Sequence, residues 1–190
     1  GAGSVLGVAL LEKTKPVDIP AAVRFLLGIS ADTAEELNLF HPAITLAQSI
    51  IDSTDPIHYA AAITTSPREG RPPKSVFQTE GIAADGSGDT YSPPRGIEAL
   101  GVAMGLPRVA PGVRTIDEAV WAGLQDLTVP PEGVSGNIAG GQASGAFAQF
   151  APRSGRDGHF VVFDVPEARS QSARFLRHLA DDPKGRVPPP

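Results

Sequence analysis

Residues 146–163 read AFAQFAPRSGRDGHFVVF, and the rest of the chain is arranged around them. A short apolar run, Ala146 to Phe150, leads into a loop rich in glycine and charge. That loop delivers His159 just ahead of a second apolar run, residues 160–163. A histidine on a loop after a buried strand is held by a rigid scaffold and can still meet solvent or substrate. A carboxylate, Asp89, stands on a similar loop after a similar strand candidate, SVFQTE at residues 75–80. An imidazole acting as a base needs such a carboxylate to fix its tautomer and stabilise the imidazolium.

Outward from these loops the chain alternates strand and helix signals. Ser92 caps a helix begun by Pro93 and Pro94, with Ile97, Leu100 and Met104 on one side and Gly105 as terminator. A last helix starts near Pro166 and puts Ala168, Ser172, Phe175 and Leu179 on one face. Between them Thr115 and Glu118 open a short helix through Trp121 and Leu124, and residues 136–145 form a bend into the strand at 146–150. Strands alternating with amphipathic helices predict an α/β fold with a mostly parallel sheet.

Upstream, Asp18 caps a helix with Pro20 in its first turn; Ile19, Ala22, Val23, Leu26 and Leu27 make its apolar face and Gly28 stops it. Asp32 with Glu35 reads as a capping-box variant leading through Leu37 and Phe40. Pro42 restarts the pattern, with Ile44, Ala47, Ile50 and Ile51 together. The opening GAGSVLGVALL lacks a basic segment and a cleavage pattern, and reads as the end of a buried strand. The expected organisation is therefore 1–15 as strand end and turn, 16–70 as a helical insertion, 71–180 as the core and 181–190 as a frayed tail. Such an opening suggests a fragment or a product of processing. The compartment stays open, with secretion or the cell envelope following only from an upstream signal.

Composition limits the partners. The net charge is −5 with no basic block, which argues against nucleic acid and anionic membranes. No run approaches the roughly 18 apolar residues of a membrane span. Cysteine is absent, so disulfides and thiolate chemistry are excluded. Four scattered histidines without an H-E-x-x-H pair suggest no metal site, and nothing implies a cofactor. High counts of glycine (21) and proline (19) fit many loops between the apolar runs.

The order of acid and then histidine, each on a loop after a strand, resembles the end of the alpha/beta-hydrolase pattern. The segments that carry it are QTEG with GDTYSPP, holding Asp89, and DGHF, holding His159. The resemblance covers nearly the whole chain, as the C-terminal part of that fold with flanking helices and an inserted helical cap. It implies a serine hydrolase of carboxylic esters, esterase- or lipase-like, in which His159 is the base and Asp89 orients it. Phe40, His41, Tyr91 and Phe160 would contact a small-molecule ester. Leu26, Leu27, Leu39, Ile44 and Tyr59 would join Phe40 in the apolar wall of a pocket.

The nucleophile's G-x-S-x-G motif does not occur here; Ser4, Ser135 and Ser144 all fail the pattern. The resemblance places residues 1–4 after the strand that follows the nucleophile, so the serine would come from a second chain or a missing N-terminal half. Each residue also has a plainer reading. Asp89 alone is an Asx-turn residue, and His159 alone a hydrogen-bonded loop histidine. Glu80, facing the sheet edge, and Asp85, a solvated turn residue, are rival acids. His58 packs in the cap, His178 lies on a solvated face, and Arg68, Arg71 and Lys74 belong to a solvated linker. The rival reading for the whole chain is a non-catalytic domain or subunit that binds its missing half, or another chain, through an exposed sheet edge.

Overall fold

The described residues of the computed structural model are 3–190, without the Glu35 side chain. Strands β1 (Val76–Gly81) and β2 (Gly145–Phe150) run parallel, with Val76 opposite Gly145 and Gly81 opposite Phe150. Strand side chains alternate between the two faces of a sheet. On one face Phe147 packs with Ile97, Leu100 and Met104, and Gln78 donates to the Ile97 carbonyl at 2.8 Å. On the other, Phe77 stacks on Phe175 at 5.3 Å between ring centres, and Ala146 and Ala148 join Phe175 and Val187. The helices responsible are α5 (Pro94–Ala103) and α8 (Pro166–Asp181), one on each face. A parallel pair covered on both faces is expected to read as apolar runs; residues 145–148 do, whereas β1 places Gln78, Thr79 and Glu80 at buried positions.

Past β2 the sheet continues in single rungs. Phe147 donates to the Pro107 carbonyl and accepts from the Val109 N–H, at 2.9 and 2.8 Å. Leu127 then donates to Arg108 and accepts from Ala110, at 2.7 and 3.0 Å. Helix α6 (Asp117–Trp121) lies between these rungs in sequence. Helix α5 has Pro94 in its first turn and ends at Gly105 (φ 67). Its N-cap is Pro93 rather than Ser92, without a side-chain cap, and the Ser92 N–H donates to Asp89.

The helical unit upstream contains α1 (Leu6–Glu12), α2 (Ile19–Leu27), α3 (Pro42–Ile51) and α4 (Ala60–Ile63). Asp18 caps α2 by accepting from Ala21 at 2.9 Å, and Gly28 closes it at φ 70. His41 Nδ1 caps α3 by accepting from Ala43. Residues 31–36 form a 3-10 helix; the Glu35 half of the expected capping box lies outside the described residues. The unit is tied to the core where Ala60 packs into it and the Thr64 hydroxyl donates to the Met104 carbonyl at 2.6 Å.

Three further expectations are corrected. Among the described part of the opening stretch, residues 6–12 are helical rather than the end of a strand. Helix α1 carries no side-chain cap of its own. The buried Asp55 instead accepts from the Val5 and Leu6 N–H groups, each at 3.1 Å, a partner no local pattern encodes. Burial pushes the Asp55 carboxyl up, but bonds from Ile57, Val5, Gln48 and Leu6 outweigh that and hold it below the usual carboxylate range.

The second correction concerns the apolar residues of the helical unit. Leu26 and Phe40 are 80% and 92% exposed, whereas Ile44 is buried, so they do not share one wall. The third concerns the tail. Val187 is fully buried, exchanges two hydrogen bonds with Val134 at 2.7 and 2.9 Å, and is followed by Pro188, whose carbonyl accepts from buried Gln171. Val187→Ala is therefore expected to cost about 2 kcal/mol. A shift in the urea midpoint would register it; a frayed tail would give none.

Candidate active site

Asp89 Oδ2 and His159 Nδ1 are 3.0 Å apart, although 70 residues separate them. The Asp89 side chain is 3% exposed and that of His159 34%. The other Asp89 oxygen accepts from the N–H groups of Tyr91 and Ser92, at 2.8 and 2.7 Å. Asp89 thus acts as an Asx-turn residue and a histidine partner at once, one oxygen for each.

Two features bring the loops together. The first is a glycine junction. A Cβ at Gly81 would fall 2.1 Å from the Gly158 carbonyl oxygen, and one at Gly88 or Gly158 would fall 2.4 or 2.3 Å from that of Gly81. Only residues without side chains allow the backbones this close. The second is Asp157, which accepts from the His159 N–H at 2.9 Å and from both the N–H and hydroxyl of Thr90. Asp157 thereby ties the two loops side by side. Sequence reasoning passed over it, although an Asp two residues before His159 is an Asx-turn signal. The second apolar run, residues 160–163, is not a strand: a 3-10 turn at Gly158–Phe160 leads into α7 (Val161–Asp164).

The imidazole is held on its flat sides as well. Tyr91 stacks on His159 at 4.6 Å between ring centres, and Phe160 meets it edge-on at 5.1 Å. Nε2 of His159 has no hydrogen bond among the described residues. The ring is therefore oriented at one nitrogen and open at the other. Of the four expected substrate contacts, Tyr91 and Phe160 lie at the histidine. Phe40 and His41 do not: neither forms a ring contact or hydrogen bond with it.

A cleft of about 310 Å³ adjoins the site, lined by Leu6, Ala9, Lys13, Asp55, Pro56 and Tyr91 among others. The Lys13 ammonium donates to the Tyr91 carbonyl, and the Thr14 and Lys15 N–H groups reach the Thr90 carbonyl at 3.1 Å. The helical unit therefore borders the Asp89 loop. Ser4 also lines the cleft, but its hydroxyl donates to the Gly96 carbonyl at 3.3 Å.

The rival acids have other places. Asp85 accepts from the N–H and hydroxyl of Ser87 in an exposed turn, which keeps its carboxyl low. Glu80 does not face the sheet edge; it is 1% exposed, on the α5 face, and accepts from Gln149 at 2.9 Å. Burial, reinforced by the neighbouring Glu98, pushes the Glu80 carboxyl up to about 8. Burial likewise raises buried Glu98 to about 7, although Arg114 contacts it at 3.2 Å. These two acids were not legible as a unit, since Glu98, Arg114 and Gln149 are distant in sequence.

Among the described residues no group of three or more acids and histidines is placed to hold a metal ion. No described helix is long and apolar enough to cross a membrane. No protein-family model matches the chain, and neither a curated protein nor a solved structure matches it.

Proposed function

We propose that Asp89 and His159 are the acid and base of a serine hydrolase acting on carboxylic esters, in a chain related to the C-terminal part of the alpha/beta-hydrolase fold. The observation that carries this reading is the 3.0 Å contact from a buried carboxylate to one ring nitrogen, with no hydrogen bond at the other nitrogen among the described residues. Asp89 holds the proton on Nδ1, which leaves Nε2 as the acceptor. Nε2 takes the proton of a serine hydroxyl as that oxygen attacks the acyl carbon, and returns it to the departing alcohol oxygen. Tyr91 stacks on the imidazole and also lines the neighbouring cleft, where an acyl or aromatic group would sit.

The attacking serine has no G-x-S-x-G elbow in this sequence. In the proposed scheme it comes from another polypeptide segment. Labelling with a fluorophosphonate probe tests the assignment, on the chain alone and on the chain with whatever partner it carries. In the preparation that reacts, His159→Gln and Asp89→Asn should each slow labelling by about 10³–10⁴-fold. An unchanged rate in His159→Gln would remove the histidine from the mechanism.

A further inference from the structure

We infer that the open edge of β1 is a docking slot for an extended strand of another polypeptide, apolar on one face and acidic at one end. The inference rests on the sheet itself and stands apart from the chemistry proposed at His159. The bonds at the two ends of the β1–β2 ladder run from Val76 to Ser144 and from Ile82 to Phe150, both from even positions of β1. In a parallel ladder successive residues turn their N–H and C=O groups to opposite sides. Phe77 and Thr79 therefore present theirs to the other edge, where no strand pairs with them among the described residues. The far edge of β2, by contrast, is closed by the rungs at residues 107–109.

The edge is recessed. On the α8 side a cleft of about 320 Å³ runs along Val76, Phe77 and Thr79, walled by Ser172, Phe175 and Leu176. On the opposite side a cleft of about 420 Å³ runs along the same strand residues, walled by Pro56, Ile63, Leu100 and Met104. A row of main-chain donors and acceptors between two such clefts matches one object: another strand, whose backbone bonds the edge while its side chains alternate into the walls. The first wall carries the Ser172 hydroxyl among apolar side chains and accepts Thr, which has both a hydroxyl and a methyl group; the second is apolar and accepts Val or Ile.

Charge selects the end. Ile63 also lines a third cleft of about 400 Å³ with Tyr59, Arg68, Arg71 and Lys74, directly before β1 in sequence. With Glu69 this exposed rim is net positive on a chain whose net charge is −5, so the docking strand should carry acids there. The group read from sequence as a solvated linker thereby acquires a role.

The probe is the blocked peptide Asp-Glu-Val-Thr-Ile-Thr-Val-Thr, titrated into the full chain and followed by amide exchange and calorimetry. Binding should be saturable and should slow exchange at the Phe77 and Thr79 amides by at least about tenfold. The same peptide N-methylated at alternate residues on its pairing edge should not bind. Arg71→Glu with Lys74→Glu, at exposed positions that leave the fold unchanged, should weaken binding about tenfold at low salt. Failure to bind, or binding that survives methylation on both edges in turn, would overturn the inference. So would protection of the same amides by raising the protein concentration alone, which would give the slot to a second copy.

Discussion

Gly158→Ala should destabilise the protein by about 3 kcal/mol and release His159 from Asp89. The added methyl carbon would fall 2.3 Å from the Gly81 carbonyl oxygen, 2.6 Å from the Asp89 nitrogen and 2.7 Å from the Gly88 carbonyl carbon. All three are backbone atoms, one at the end of β1 and two in the loop that follows it, so no flexible side chain can yield. The clash is relieved only by moving the two loops apart, and the 3.0 Å contact is the distance that movement lengthens. For a chain of this size the thermal midpoint should fall by about 6–12 °C. The His159 Nδ1 proton resonance should move toward that of a solvated imidazole. Gly3→Ala, whose methyl group would meet nothing nearer than 3.7 Å, serves as the control and should change neither reading. A Gly158→Ala protein of unchanged stability would show that the junction does not hold the loops.

Glu80→Gln should remove most of a pH dependence of stability that the wild-type protein shows between about pH 4.5 and 8. Glu80 titrates at about 8 in the folded chain, against 4.5 for an unperturbed carboxyl, because it is buried beside Glu98. Through that window the unfolded chain has released the proton and the folded chain still holds it. Stability therefore falls as pH rises, is fully present below about pH 4.5, and is lost by a few kcal/mol once pH passes about 8. Glutamine keeps an acceptor for the Gln149 amide and stays neutral. The variant should match wild type near pH 5 in urea unfolding and exceed it near pH 9. Glu98, raised to about 7, contributes a remaining slope of the same sign. A wild-type protein equally stable at both pH values would mean that Glu80 is ionised in the fold.

How far the sequence could be read depended on how local each cause was. The strands at 76–81 and 145–150 were visible because each is a short stretch led by apolar residues, Val76 and Phe77 in one and Ala146 to Ala148 in the other, and followed by a glycine-rich loop. Helices α2, α5 and α8 were visible because prolines and glycines mark their ends within a few residues of the apolar face. Helix α1 was missed because its initiating acceptor, Asp55, lies some fifty residues away. The tail was misread because Pro, Gly and charge suggest fraying, whereas Val134, Gln171 and Ser75 supply its partners from three other segments.

The amino-acid order alone determined the α/β character, the two strands and which loops carry Asp89 and His159, since each follows from patterns a few residues long. Tertiary structure alone decided that the two side chains meet. That depends on the parallel register of β1 with β2 and on three glycines that let the following loops touch. It also decided which acid is exposed, which is buried and which edge of the sheet lacks a partner strand among the described residues. Burial and unpaired edges are properties of what surrounds a residue, and those surroundings come from segments distant in the chain.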